Sequence, residues 1–151
     1  MQETIISMSE RYCIPSALIR AIIEVESGGN PFAMKYENNY QWLYDVERLA
    51  REHRLSLETE RVAQKTSWGL MQVTGATARE MGFSGRYLSE LCLPDRGIGY
   101  GCKYLKGQYS RYQSWQDAIA AYNCGHVQKR AGNYINQRYV EQVIGIWRNI
   151  K

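Results

Sequence analysis

"IIEVESGGNP", residues 22–31, sets two glutamates two positions apart at the end of an apolar run and follows them at once with a double glycine. Pro15 suits a first helical position and Gly28 and Gly29 suit a stop, so one helix is predicted from Pro15 to Ser27. At about 100° per residue, Glu24 and Glu26 lie about 200° apart around that helix and cannot share an environment. Glu24 has Arg20 four residues before it, the spacing of an exposed ion pair. Glu26 has Ile22 and Ile23 at the equivalent offsets and Ile19 a turn further back, which puts it on the apolar stripe. Burial disfavours its ionised form, and so does the negative end of the helix dipole; both raise its pKa. A carboxyl group that keeps its proton near neutral pH is what a general acid needs. Periodicity alone also suits a glutamate at the stripe's edge that reaches back to water. The glycines tilt the reading towards chemistry, because they leave space for a ligand beside the carboxyl.

Working outward, helical periodicity dominates, and no apolar–polar alternation is long enough to predict a sheet. An opening helix is expected from Glu3 to Arg11. Another is expected from Tyr40 to His53, with Trp42, Val46, Leu49 and His53 on one side. A short one lies between Thr74 as N-cap and Gly82 as stop. Pro94 and Asp95 open a further helix whose stripe is Ile98, Cys102, Leu105, Tyr109 and Tyr112. Its glycines, Gly97, Gly99 and Gly101, each cost roughly 1 kcal/mol in a helix interior, which predicts close packing against another backbone. Ser114 and Asp117 read as a capping box for the helix holding "AIAAYN", which Gly125 stops. A last helix from Asn133 carries Tyr139, Val143, Ile146, Trp147 and Ile150 on one face. No linker, repeat or low-complexity stretch interrupts the 151 residues. The expectation is a single, mainly α domain over 1–151, with at most a small β-hairpin and an inserted helical segment.

Composition narrows the partners. Lys and Arg number 19 against 15 Asp and Glu, a net charge of +4 that fits an anionic surface without choosing one. The basic residues are scattered and match no nucleic-acid-binding pattern, so no nucleic acid is expected. Cys13, Cys92, Cys102 and Cys124 form no C-x-x-C, and His53 and His126 have no partner at metal spacing. The cysteines read as small core residues with room for one or two disulfides, and neither a metal nor a cofactor is expected. No apolar run is long enough for a transmembrane segment, and the N-terminus lacks the pattern of a secretory signal. A monomer is expected.

Five segments in order carry a family resemblance: "ESGGNPFA", "SWGLMQV", "GCKYLKGQY", "AIAAYNCG" and "RYV". From about Pro15 to Trp147 the chain resembles the lytic transglycosylase domain of the lysozyme-like superfamily, which cleaves the glycan strands of bacterial peptidoglycan. The resemblance implies a lysozyme-like helical fold with Glu26 as the catalytic acid, Ser27 supporting it, and Gly28 to Pro31 shaping the turn. It implies that Gly69, Leu70, Met71 and Gln72 line the glycan groove, with Met71 and Gln72 touching sugar and Leu70 packing. Tyr122 and Asn123 match the pair flanking the glutamate, Tyr122 near its proton and Asn123 binding sugar. Tyr139 matches a tyrosine bordering the same cleft; its place on a helix stripe equally suits the core. A wall-cleaving enzyme without an export signal suits a phage or prophage lysin, released through a membrane lesion made by another protein or carried in the virion.

The chain departs from the family at residues 34–66, where a short connection is usual and an insertion stands instead. A lytic transglycosylase needs one carboxylate, whereas an inverting glycosidase needs a second one to activate water. The insertion offers candidates, of which Glu60 and Glu37 lie nearest the two motifs, and a solvated surface role is the alternative for each. Its aromatics, Tyr36, Tyr40, Trp42 and Tyr44, suit either sugar stacking or a small satellite core. The expected reaction is cleavage of the β-1,4 bond between N-acetylmuramic acid and N-acetylglucosamine, by transglycosylation in preference to lysozyme-type muramidase hydrolysis. A peptidoglycan-binding module that has kept the fold without catalysis is the reading from another class, and the presence of Glu26 argues against it.

Overall fold

The computed structural model describes residues 1–150. Among them eight α-helices and five short strands follow in the order α1 (Gln2–Tyr12), α2 (Ser16–Ser27), β1 (Met34–Tyr36), α3 (Val46–His53), α4 (Leu57–Gln64), β2 (Thr66–Trp68), β3 (Val73–Thr74), α5 (Gly75–Glu80), α6 (Pro94–Tyr112), α7 (Trp115–Cys124), β4 (Lys129–Arg130), β5 (Asn133–Tyr134) and α8 (Gln137–Asn149). A 3-10 turn, Leu88–Cys92, precedes α6. The fold is mainly α, as the periodicity predicts.

Helix α2 buries one whole face in the core. Leu18, Ile19, Ala21 and Ile22 have no exposed surface, and they meet Ile98, Leu105, Ile119, Val140 and Val143 in one hydrophobic cluster. Along its length α2 packs on α8, while α6 packs on α7 and α1. Pro15 sits at the N-cap rather than inside the helix, and Gly28 ends it at φ 58°, donating its N–H to the Glu24 carbonyl in the left-handed cap that glycine favours. The expectation for the α6 glycines holds at Gly97, which lies against the Leu91 carbonyl. Gly101 instead makes room for the Met71 side chain, and a Cβ at Gly99 would meet only Met8, at 3.7 Å.

Three readings of the sequence need correction. First, a three-stranded antiparallel sheet, β1–β2–β3, exists, with Met34 opposite Trp68 and Trp68 opposite Val73; a second pair, β4–β5, precedes α8. Strands of two or three residues are too short to carry a period-two pattern. Second, the helix expected over 40–53 begins only at Val46. The buried Gln64 side chain accepts from the Tyr44 N–H and donates to the Tyr44 carbonyl, both at 2.8 Å, and so takes the two groups a helix would use. Third, α4 stands where the sequence pattern predicts no helix; Ser56 caps it by accepting from the Thr59 N–H at 3.0 Å. The Ser114–Asp117 box is half formed. Ser114 accepts from the Asp117 N–H, but the Asp117 carboxylate accepts instead from the Tyr134 hydroxyl.

The insertion is joined to the body by a buried ion pair. Arg79 on α5 donates through Nε and Nη2 to the two oxygens of Glu60 on α4, at 2.8 and 3.0 Å, and both side chains are fully enclosed. The remaining guanidinium protons reach the carbonyls of Phe83, Gly85 and Arg86, while Gln64 donates to Glu60 at 3.0 Å. Every strong polar group in the cluster is satisfied, the condition under which a buried charge pair is tolerated. The four cysteines are all free, with Cys102 in the core. Among the described residues no cluster of three or more His, Cys, Asp and Glu is placed to hold a metal, and no helix is long and apolar enough to cross a membrane.

Candidate active site

Glu26 lies in the last turn of α2, one turn beyond the buried Ile22 and Ile23, with its carboxyl partly enclosed. Because α8 packs along α2, a residue 113 positions later meets it: the Tyr139 hydroxyl donates to Glu26 Oε1 at 2.6 Å. Burial raises the Glu26 pKa from 4.5 to about 7 and outweighs the Tyr139 hydrogen bond and the nearby Lys35, which lower it; Glu37 adds a smaller push upward. A carboxyl poised there is half protonated at neutral pH, the state in which one group can either give or take a proton. Glu24 is exposed as predicted, but the ion pair with Arg20 does not form; Arg20 Nε is instead buried without a hydrogen-bond partner.

Two tyrosines divide the work around the carboxyl. Tyr139 keeps its own proton, because burial and the adjacent Glu26 push its pKa well above the usual value, and it remains a donor throughout. Tyr122 is buried and within electrostatic reach of Glu26, but its hydroxyl donates to the Met71 carbonyl at 2.7 Å. Its ring lies 5.3 Å from that of Tyr104 on α6. Tyr122 therefore positions the 69–72 turn and does not hand a proton to the acid.

That turn is fastened to the end of α2. The Ser27 hydroxyl, with one proton to give, faces the Leu70 carbonyl at 2.8 Å and the Ile23 carbonyl at 3.1 Å. Gly69, at φ 71°, passes so close to the Leu91 carbonyl that no side chain fits, and its N–H donates to the Ala33 carbonyl at 2.8 Å. Gln72 Nε2 donates to the carbonyls of Ala33 and Gly69, at 3.0 and 2.9 Å, so its amide oxygen keeps its acceptor capacity. The Met71 side chain is not open to solvent, as the sugar contact expected of it would require. It is completely buried against Gly101, and only its carbonyl takes part. Leu70 is core, as predicted, and Asn123 is exposed at the end of α7 with its Oδ1 held by Asn136 at 3.0 Å.

A family model for the transglycosylase SLT domain matches residues 3–142. The chain belongs to this family. Protein IpgF of Shigella sonnei is 31% identical over 135 residues, a stretch that covers 89% of this chain and 72% of that protein. Protein IpgF of Shigella flexneri is 30% identical over the same span. Membership of the SLT family carries glycosidase chemistry on peptidoglycan and accounts for the lysozyme-like arrangement of helices around Glu26.

Within this SLT domain the two candidate second carboxylates part company. Glu60 is enclosed by Arg79 and Gln64, away from solvent, and has no oxygen left to activate water. Glu37 lies within electrostatic reach of the acid and pairs with Lys35 at 3.1 Å. Sequence reasoning missed two participants. Lys35 was one charge among many until β1 paired with β2 and set it near Glu26, and Asn136 was unmarked because it acts only by gripping Asn123 from the N-terminus of α8.

The Tyr139 bond yields a directional test. That bond favours the ionised carboxylate, so Tyr139→Phe is expected to move the basic limb of the pH–rate profile to higher pH. It should also lower kcat by roughly tenfold, through lost support of the carboxylate once the proton has left. A limb that stays in place or moves down would remove Tyr139 from control of the proton.

Proposed function

We propose that this SLT domain is a lytic transglycosylase, cleaving the β-1,4 bond between N-acetylmuramic acid and N-acetylglucosamine and leaving a 1,6-anhydro-muramic end. The carrying observation is a single partly buried carboxyl, raised to about 7, with a tyrosine fixed on it at 2.6 Å. In the first half of the reaction Glu26 gives its proton to the glycosidic oxygen as the bond from muramic acid C1 breaks. In the second half the Glu26 carboxylate takes the proton of the C6 hydroxyl as that oxygen bonds to C1. No water is consumed and Glu26 ends protonated, so one carboxyl suffices.

The enclosure of Glu60 by Arg79 supports the one-carboxyl route, since it withdraws one of the two acids that hydrolysis would need. Glu37 is the observation on the other side, because it stands near Glu26 with part of its side chain open to solvent. The muramidase reading gives it the role of base to a water molecule. Mass spectrometry of the products from purified sacculi separates the two. Anhydro ends are expected, and reducing-end muramic acid as the sole product would overturn the proposal. Under it, Glu37→Gln should leave turnover standing and move the basic limb of the pH–rate profile slightly down, because the carboxylate that raises the Glu26 pKa is gone. Abolished turnover in that variant would make Glu37 the second acid of a hydrolase.

A further inference from the structure

The segment "ENNYQWLY", residues 37–44, belongs to the insertion and takes no part in the chemistry above. It carries the indole of Trp42, which is 76% exposed, while Phe32, Met34, Tyr36 and Tyr44 add exposed apolar surface on either side. So much exposed apolar surface in one short stretch of a folded chain marks a contact site rather than ordinary surface. The segment is also held still. Its first residue donates an N–H to the Lys65 carbonyl at 2.8 Å, and its last is gripped at both backbone groups by Gln64. Gln64 in turn bonds Glu60, which Arg79 anchors, so the exposed rings stand on a buried polar foundation. Tyr40 props the Trp42 ring edge-on, with centroids 5.8 Å apart and planes at 72°.

The segment's position ties it to Glu26. Ala33, directly before β1, accepts from the Gly69 N–H at 2.8 Å and from Gln72 Nε2 at 3.0 Å, which joins the strand leading into the segment to the turn beside the acid, and Glu37 lies within electrostatic reach of the Glu26 carboxyl. Its composition points to the occupant. Exposed amides at Asn38, Asn39 and Gln41 alternate with the rings of Tyr40 and Trp42. A pyranose offers a face of C–H bonds for an aromatic ring and a rim of hydroxyl and N-acetyl groups for amides, so the two repeats complement each other. A lipid surface would meet those amides with hydrocarbon and leave them unpaired.

We propose that Tyr40 and Trp42 form a sugar-stacking shelf that extends the Glu26 cleft and binds pyranose rings of the glycan strand away from the bond being cut. The shelf rests on the reading of this domain as a peptidoglycan glycosidase, but it concerns binding alone. Because the rings are fixed before the ligand arrives, little ordering opposes the contact.

The test uses the Glu26→Gln protein, so that ligand is bound and not consumed, with chitohexaose as a soluble β-1,4-linked probe and isothermal titration as the readout. Adding Trp42→Ala should weaken binding by roughly fivefold to tenfold. Trp42→Tyr should recover most of the loss. Val62→Ala, at an exposed apolar position on α4, should change nothing. Unchanged affinity in the alanine variant overturns the shelf, as does equal weakening by Val62→Ala, failure of tyrosine to rescue, or a Glu26→Gln parent that binds no probe. Thermal melting guards against misfolding, which is not expected for so exposed a side chain. The lytic transglycosylase reading fails on different results, those of product analysis and Glu26→Gln turnover, and a shelf can stand when that reading falls.

Discussion

Glu26→Gln is expected to reduce cleavage of sacculi by on the order of a thousandfold or more, because the amide keeps the shape of the acid and can neither give a proton nor take one. Binding of glycan should survive. The same substitution should make the protein more stable at alkaline pH, and the sign follows from the direction of the shift. Glu26 titrates at about 7 in the folded chain against 4.5 as its ordinary value, so its protonated form favours folding fully below about 4.5, and that contribution is lost as pH rises through 7. A gap of that size corresponds to at most about 3 kcal/mol. Glutamine has no charge to bury and escapes the loss. Melting temperatures of parent and variant should therefore lie close together near pH 5 and separate by several degrees above pH 8, with the variant higher. Retained lysis would remove Glu26 from the chemistry. A variant that melts lower at pH 8 would contradict its burial as the cause of the raised pKa.

The second large effect belongs to the insertion. Arg79→Met leaves the Glu60 carboxylate enclosed without its cation and should destabilise the fold by about 3–5 kcal/mol, read as a lower urea midpoint at unchanged slope. Adding Glu60→Leu should recover most of that loss, because a matched apolar pair has no charge to desolvate. The double variant would also lose the hydrogen bond from Gln64 to Glu60 and free the Tyr44 clamp, so the Trp42 shelf should loosen while stability returns. If Arg79→Met alone cost less than about 1 kcal/mol, the ion pair would not be what fastens residues 34–66 to the body.

The one hydrogen bond between Glu26 and Tyr139 links this behaviour to the packing of the first and last long helices. Residues so far apart in sequence meet because α2 and α8 each bury one apolar face against the other. The carboxyl is raised chiefly by the same burial that holds the core together, and Tyr139, Lys35 and Glu37 adjust it from there.

Local periodicity sufficed for α2, α6 and α7 and for the body of α8, since each buries a stripe that recurs at the helical period; α8 starts at Gln137 rather than at Asn133, which stands in β5. It sufficed as well to part Glu24 from Glu26 by their phase on one helix, and the ordered motifs brought the family with them. The tertiary structure decided the rest. Met71 stands in a motif that suggests sugar contact, yet its side chain fills the space above Gly101, because the turn points inward wherever Tyr122 holds its carbonyl. Arg20 and Glu24 had the right spacing for a pair, but burial of the guanidinium Nε took the partner away. Glu60 and Glu37 looked alike as acids of one insertion. Which of them is enclosed and which stands beside Glu26 depends on Arg79 and on the pairing of β1 with β2, contacts between residues distant in the chain. Local pattern can say which face of a helix is buried, but only the packed chain says what that face meets.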